Sequence, residues 1–253
     1  GTPVISGNVS LYNESFEQPI YPTPVVGMLG LLEDVERHCT YAFKNEGDVI
    51  CLLGDAVPAL DGSEYQKRWF GGPRGRPAGR LPDVDLEAEV SLQAALREVI
   101  GSGLVLSAHD CSDGGLAVAM AECCLAGGVG ADVTLADLSW VAGKSGCASS
   151  AAAAEGHASA AGPLAERPDL VLFGEAPTLA VVTASAADLE GLEDVCDRQG
   201  IPCTQLGVVG GEDLTVTLGS SEKAAETGEK DLQVSLRAMD EVYESALGRA
   251  VGE

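Results

Sequence analysis

Three residue types in the run Gly7-Asn8-Val9-Ser10 could act together on a phosphorylated ligand. A glycine removes the Cβ that would hold a ligand away from the main chain. The Asn8 amide oxygen is a hard, neutral donor of the kind that Mg²⁺ accepts beside waters and phosphates. The Ser10 hydroxyl can donate or accept a hydrogen bond. A strand over this segment would place Asn8 and Ser10 on one face and Val9 and Leu11 on the other. The same spacing also describes a plain glycine turn beside a half-buried strand. Residue type alone leaves both readings open.

A second candidate is His109-Asp-Cys-Ser-Asp-Gly-Gly115, between an expected strand over 104–107 and an expected helix from about 114 to 126. A strand-to-helix turn directs N–H groups and the positive end of a helix dipole at whatever fills it, which suits phosphate. Ser112 or Asp113 could instead cap the helix and satisfy the same donors without a ligand. His109 is read as orienting this turn rather than as a base. Gly143-Lys144-Ser145 matches only the end of a phosphate-binding P-loop, because Leu138 stands where its first glycine belongs.

These groups need elements to hold them. Residues 1–34 read as strand, loop, strand, with Pro19, Pro22 and Pro24 in the link and an apolar run over 25–32. A second domain is expected over 35–253. It opens with a buried strand over 48–53, and then a Gly-, Pro- and Arg-rich surface loop over 61–82 carries Lys67, Arg68, Arg74, Arg76 and Arg80. Leu92, Leu96, Val99 and Ile100 mark a helix over 85–100. Runs at 169–173 and 178–183 look like paired strands. Ser185 and Asp188 form a capping box for a helix that Gly200 ends. Strands over 204–209 and 214–218 follow, and then a helix over 231–247 with Leu236, Met239 and Val242 inward. An Ala-, Gly- and Ser-rich stretch at about 139–167 reads as a surface insertion without chemistry. Interleaved strands and helices predict an α/β (α+β) fold, a mixed β-sheet flanked by helices.

Composition excludes several functions. With 39 acidic against 15 basic residues the net charge is −24, which repels nucleic acid and anionic membranes. An anionic nucleotide would have to be held by backbone N–H groups and Mg²⁺. No apolar run reaches the roughly 18 residues of a membrane span, and no basic-then-apolar leader opens the sequence. The eight cysteines contain no C-x-x-C pair and sit largely in apolar patterns, which fits a reducing cytoplasm.

Three blocks carry a family resemblance: Gly1-Thr-Pro-Val-Ile-Ser-Gly-Asn-Val-Ser-Leu-Tyr-Asn13, Pro22-Thr-Pro-Val-Val-Gly27 and Ser107-Ala-His-Asp-Cys-Ser-Asp-Gly-Gly-Leu116. In this order they resemble the synthetase portion of phosphoribosylformylglycinamidine synthase. The resemblance runs from residue 1 to about 136, resumes near 169 and weakens toward the C-terminus. It implies the C-terminal domain fold of the aminoimidazole ribonucleotide synthetase superfamily, preceded by strands of an incomplete ATP-binding domain over 1–34. It further implies ATP-dependent amidation of formylglycinamide ribonucleotide with glutamine-derived ammonia, and ATP and Mg²⁺ as cofactors. By position Gly7 resembles an ATP-contacting glycine, Asn8 a Mg²⁺ ligand and Ser10 a substrate-contacting serine. No catalytic residue is carried over, since the family's base and ATP lysine belong to an N-terminal half not in this chain. The implied partners are that missing half, a glutaminase subunit or domain, and in bacterial forms a small bridging subunit. Ala176 and Pro177 depart from the polar pair that usually follows Gly-Glu in the family, which puts ligand contacts there in doubt. Two other readings stay open: a related superfamily enzyme, and a non-catalytic scaffold that holds a structural nucleotide.

Overall fold

A run of five apolar residues with no polar position, Val49–Leu53, can form a strand only where both of its faces are covered. In the computed structural model, which describes residues 2–20, 23–70, 84–135, 168–218 and 232–251, that condition is met. The chain divides into two units, Gly1–Val35 and Glu36–Glu253.

In the first unit two short strands, β1 (Glu14–Ser15) and β2 (Gln18–Pro19), pair antiparallel. Phe16 and Glu17 between them both have positive φ, 50° and 62°, as a two-residue hairpin turn of the twisted kind requires. The strands expected over the first dozen residues and over 25–32 do not form. Their apolar side chains stand in solvent, Val4 at 89% and Leu29 at 95% exposure, so nothing here supplies a pairing partner or a core.

The second unit is built on a seven-stranded sheet. Its strands in chain order are β3 (Val49–Leu53), β4 (Ser107–Asp110), β5 (Ala131–Leu135), β6 (Ala180–Ala184), β7 (Cys203–Val209), β8 (Asp213–Leu218) and β9 (Leu232–Ser235). Across the sheet they run β4-β6-β3-β7-β5-β8-β9. The β5–β8 pair is parallel and the other pairs are antiparallel, so the sheet is mixed. Helices α1 (Glu64–Trp69), α2 (Leu86–Ser102), α3 (Gly115–Gly127), α4 (Pro168–Phe173), α5 (Leu189–Gln199) and α6 (Leu236–Val251) complete the described elements.

Alternation along β3 divides the core. Ile50 and Leu52 join Leu116, Met120, Cys123 and Val171 on the face covered by α3, α4 and α6. Cys51 and Leu53 join Leu92, Val99, Leu192 and Val195 on the face covered by α2 and α5. Sequence punctuation sets the helix ends. The Asp85 carboxylate accepts from the N–H groups of Glu87 and Ala88 at 2.9 and 3.0 Å, and Gly103 and Gly200 end α2 and α5 in the left-handed conformation.

Four expectations are corrected. The strand expected at 104–107 lies at Ser107–Asp110: Val105 is consumed in the α2–α5 core, while the polar run tolerates an edge position. Residues 169–173 are helical, a one-and-a-half-turn helix whose Leu170, Val171 and Leu172 are all buried. A short apolar run carries no periodicity to tell the two apart. Residues 232–235 form a strand, and the last helix begins only at Leu236, where Ser235 Oγ accepts from Ala238 N; Val242 on it is 60% exposed rather than inward. The loop over 61–82 contains α1, which carries Lys67 and Arg68, while Arg74, Arg76 and Arg80 lie outside the described residues. So do the 139–167 insertion and Gly143-Lys144-Ser145.

Leu192→Ala should cost about 2–5 kcal/mol of stability, whereas Val4→Ala should stay within about 0.5 kcal/mol. Urea unfolding of both variants checks the contrast. Burial pushes the Cys111 and Cys124 thiols from 9.0 up to about 12, and raises Cys123 as well. The folded protein therefore keeps protons that the unfolded chain releases. This contribution is whole below pH 9.0 and is lost as pH climbs toward 12. The urea midpoint should fall between about pH 8 and about pH 10.5, and Cys124→Ala should flatten that fall.

Candidate functional site

The glycine turn before α3 is held open to the main chain by packing. Gly114 and Gly115 have φ of +83° and +70°, and a Cβ on Gly115 would lie 2.5 Å from the carbonyl oxygen of Gly174. Gly115 N donates to Ser112 O at 3.0 Å. Neither Ser112 nor Asp113 caps the helix with its side chain. The Gly114 N–H goes instead to Glu175 Oε1 at 2.8 Å, across 61 residues of chain. The same oxygen accepts from Glu64 N, the first amide of α1, also at 2.8 Å. Here Glu175 supplies the acceptor for a turn that the sequence left open to either a ligand phosphate or a cap from Ser112 or Asp113.

His109 does not orient this turn. It lies on β4 with Nε2 3.0 Å from Glu122 Oε2 on α3 and Nδ1 3.3 Å from Asp110 Oδ1. Its ring meets Tyr41 at 5.1 Å between centroids. Two clefts border this pair. One, of 540 Å³, is lined by Glu89, Leu92, Leu96, Ile100, Thr178 and Leu179 among others. The other, of 400 Å³, adds Glu122, Asp240, Tyr243 and Glu244. Among the described residues neither is lined by a lysine or arginine, so an anion entering either one meets carboxylates. In the larger cleft Thr178 Oγ1 donates to Glu89 Oε2 at 2.8 Å from a backbone at φ +64°. A β-branched residue rarely adopts that conformation, and the surrounding contacts must hold it there.

Gly7, Asn8 and Ser10 lie in the 2–13 segment of the first unit, outside any helix or strand and all exposed. Ser10 Oγ donates to Tyr12 O at 3.2 Å, and the space beside Gly7 is open to at least 4 Å. Among the described residues no three His, Cys, Asp or Glu side chains converge as a metal centre. Asn8 can offer Mg²⁺ one oxygen donor, and the described residues do not complete a site around it.

Sequence reasoning missed Glu175, the Glu89–Thr178 contact and the Tyr41–His109–Glu122 group. The retained Gly174-Glu175 pair was the available signal for the first. The others pair residues 68 or more apart, or 13 apart across a strand and a helix, where no local pattern exists.

Residues 45–219 match the family described as AIR synthase related protein, C-terminal domain. The chain is 44% identical over 229 residues to phosphoribosylformylglycinamidine synthase subunit PurL of Anaeromyxobacter sp. (strain Fw109-5), covering 89% of this chain and 27% of that protein. It is 40% identical over 218 residues to the subunit of the same name from Moorella thermoacetica, covering 86% and 25%. The chain thus spans about a quarter of the length of the curated relatives it matches. Among solved structures, T. maritima PurL complexed with FGAR superposes with a TM-score of 0.57 at 18% identity, over 81% of this chain and 30% of that one. T. maritima PurL complexed with ATP gives 0.54 at 17%, over 81% and 27%. These structural matches establish the fold.

Gly115→Ala forces a methyl against the Gly174 carbonyl and strains a positive φ, and should cost about 1–3 kcal/mol from overpacking alone. Urea unfolding would register the loss.

Proposed function

The chain belongs to the AIR synthase-related family, and from that premise we propose that it is part of the synthetase portion of a phosphoribosylformylglycinamidine synthase. The observation that carries this reading is 44% identity to a PurL subunit sustained over 89% of the chain. The reaction is an ATP-dependent carbon–nitrogen ligation in purine biosynthesis. ATP phosphorylates the amide oxygen of formylglycinamide ribonucleotide, and ammonia displaces the phosphate to leave the amidine. Such a transfer depends mainly on positioning and on neutralising developing charge.

Within that reading, Gly7 lets the ATP phosphates approach the main chain. Asn8 contributes one oxygen to Mg²⁺, which when bound would neutralise phosphate charge. Ser10 hydrogen-bonds the substrate. The remaining ligands and the base come from the rest of the longer protein, and ammonia comes from a glutaminase partner with a small bridging subunit where one exists. One structural neighbour, PurLQS from Thermotoga maritima, is in keeping with partner subunits. No helix among the described residues is long and apolar enough to cross a membrane. The seven described cysteines are free, which supports a cytoplasmic setting.

A second reading is favoured by one observation, the Glu175 carboxylate on the Gly114 amide. On this reading the 36–253 unit, and with it the chain, is a non-catalytic scaffold that docks partner subunits.

The test is ADP formation dependent on formylglycinamide ribonucleotide and ammonium, from this chain alone and combined with the remainder of the longer protein. Activity only in combination supports the proposal. Activity from the chain alone removes the division of the site. No activity from associated parts favours the scaffold. In the active combination, Asn8→Ala should lower the rate at least about tenfold, on the order of 1.4 kcal/mol. An unchanged response to Mg²⁺-ATP in that variant would remove Asn8 from the metal.

A further inference from the structure

One carboxylate oxygen joins two helix starts that are 50 residues apart in the chain. Glu175 Oε1 accepts from Gly114 N ahead of α3 and from Glu64 N at the head of α1, each at 2.8 Å. The Glu175 main chain is itself fixed. Its N–H donates to Ala59 O at 2.9 Å, its carbonyl accepts from Ala59 N at 3.0 Å, and Gly174 N donates to Leu170 O at 3.0 Å. The side chain therefore leaves a clamped backbone and has little freedom to swing away. At the α1 start Ser63 Oγ also accepts from Gln66 N at 3.1 Å. On the other side, Gly115 lies against the Gly174 carbonyl so closely that a side chain would not fit. The whole junction is consistent with a closed unit.

We propose that Glu175 is a built-in anion. Its carboxylate fills the N–H cradle of the glycine turn, clips the 54–70 arm to the start of α3, and keeps this turn from taking a phosphate ligand. A phosphate oxygen bidding for the Gly114 amide would have to displace an acceptor of like charge at hydrogen-bond distance, and at that range like charges repel strongly. Asp113, next in sequence to Gly114, adds to that repulsion. Lys67 on the arm pairs with Glu64, with Nζ 2.7 Å from Glu64 Oε1. The clip also explains why α3 starts without a capping side chain of its own: the cap arrives from the loop after α4.

Amide hydrogen exchange by NMR on the full chain, with and without millimolar inorganic phosphate, tests the proposal. In E175A the Gly114 and Glu64 amides should both accelerate, on the order of tenfold or more, because they share one acceptor. In E175Q the retained carbonyl oxygen should keep both within roughly threefold of wild type. Phosphate should leave the wild-type Gly114 amide unchanged. Acceleration of one amide without the other overturns the clip. A phosphate-induced shift or protection at Gly114 in the wild type overturns the closed turn. Should E175A fail to fold, E175Q and the wild-type phosphate titration still decide between these outcomes. The readout does not depend on the synthetase reading, since it follows two named amides and no turnover.

Discussion

The structure depends on covering strand β3 on both faces. Ile50 and Leu52 point into one core and Cys51 and Leu53 into the other, with all four side chains shielded from water. Each aliphatic side chain fully buried in this way contributes roughly 1.5–3 kcal/mol, so a helical layer is obligatory on each side. Where those layers start fixes where chemistry can sit. Helix α3 must enter the α3–α4–α6 layer through a turn that also packs on the Gly174 carbonyl, which requires Gly115. Helix α2 must enter the opposite layer beside β4, which places Glu89 against Thr178. The candidate groups are consequences of how the two layers join the sheet.

Electrostatics then narrows what those groups can do. The chain carries a net charge of −24, and the described linings of both clefts add carboxylates without a lysine or arginine. A phosphorylated ligand in either cleft meets no lysine or arginine among the described lining residues. The Gly114 amide of the glycine turn already serves Glu175. This reverses the usual meaning of a glycine-rich turn at a helix start. The same geometry that suits an external anion is stable without one when a carboxylate from a neighbouring loop occupies it. The scaffold reading of this unit draws its strength from that substitution rather than from any lack of a pocket.

The layers were legible because helices announce themselves. Asp85 and Gly103 bracket α2, Gly200 ends α5, and the Leu92–Leu96–Val99 spacing gives the buried stripe. The all-apolar run at 49–53 marked its strand for the same reason. Residues 169–173 misled because a short apolar run reads alike as a buried strand or a buried helix. The β4 strand was displaced because an edge position accepts Ser107, His109 and Asp110, while the more strand-like Val105 was needed in the core. The glycine turn was legible as a turn. Its occupant was not, because the pairing of Gly114 with Glu175 is fixed by tertiary packing and leaves no trace in local spacing.

The segment around Gly7, Asn8 and Ser10 presents the opposite problem. Its residue types suit phosphate chemistry, yet in the first unit the secondary structure described is one hairpin, β1–β2, which needs only its own turn to form. Flanking Val4, Ile5, Leu11 and Leu29 are almost wholly exposed. A two-stranded hairpin is marginal by itself, and apolar strands need partners and a covered face to become rigid. Catalytic and ligand groups contribute in proportion to how well they are held in place before the substrate arrives. The Ser10 hydroxyl donates to the Tyr12 carbonyl two residues on, a contact that fixes only a local bend. Were Asn8 and Ser10 to act on a phosphorylated ligand, strands that pair with this segment and cover its apolar side chains would first have to order it, so binding and that ordering would be one physical event.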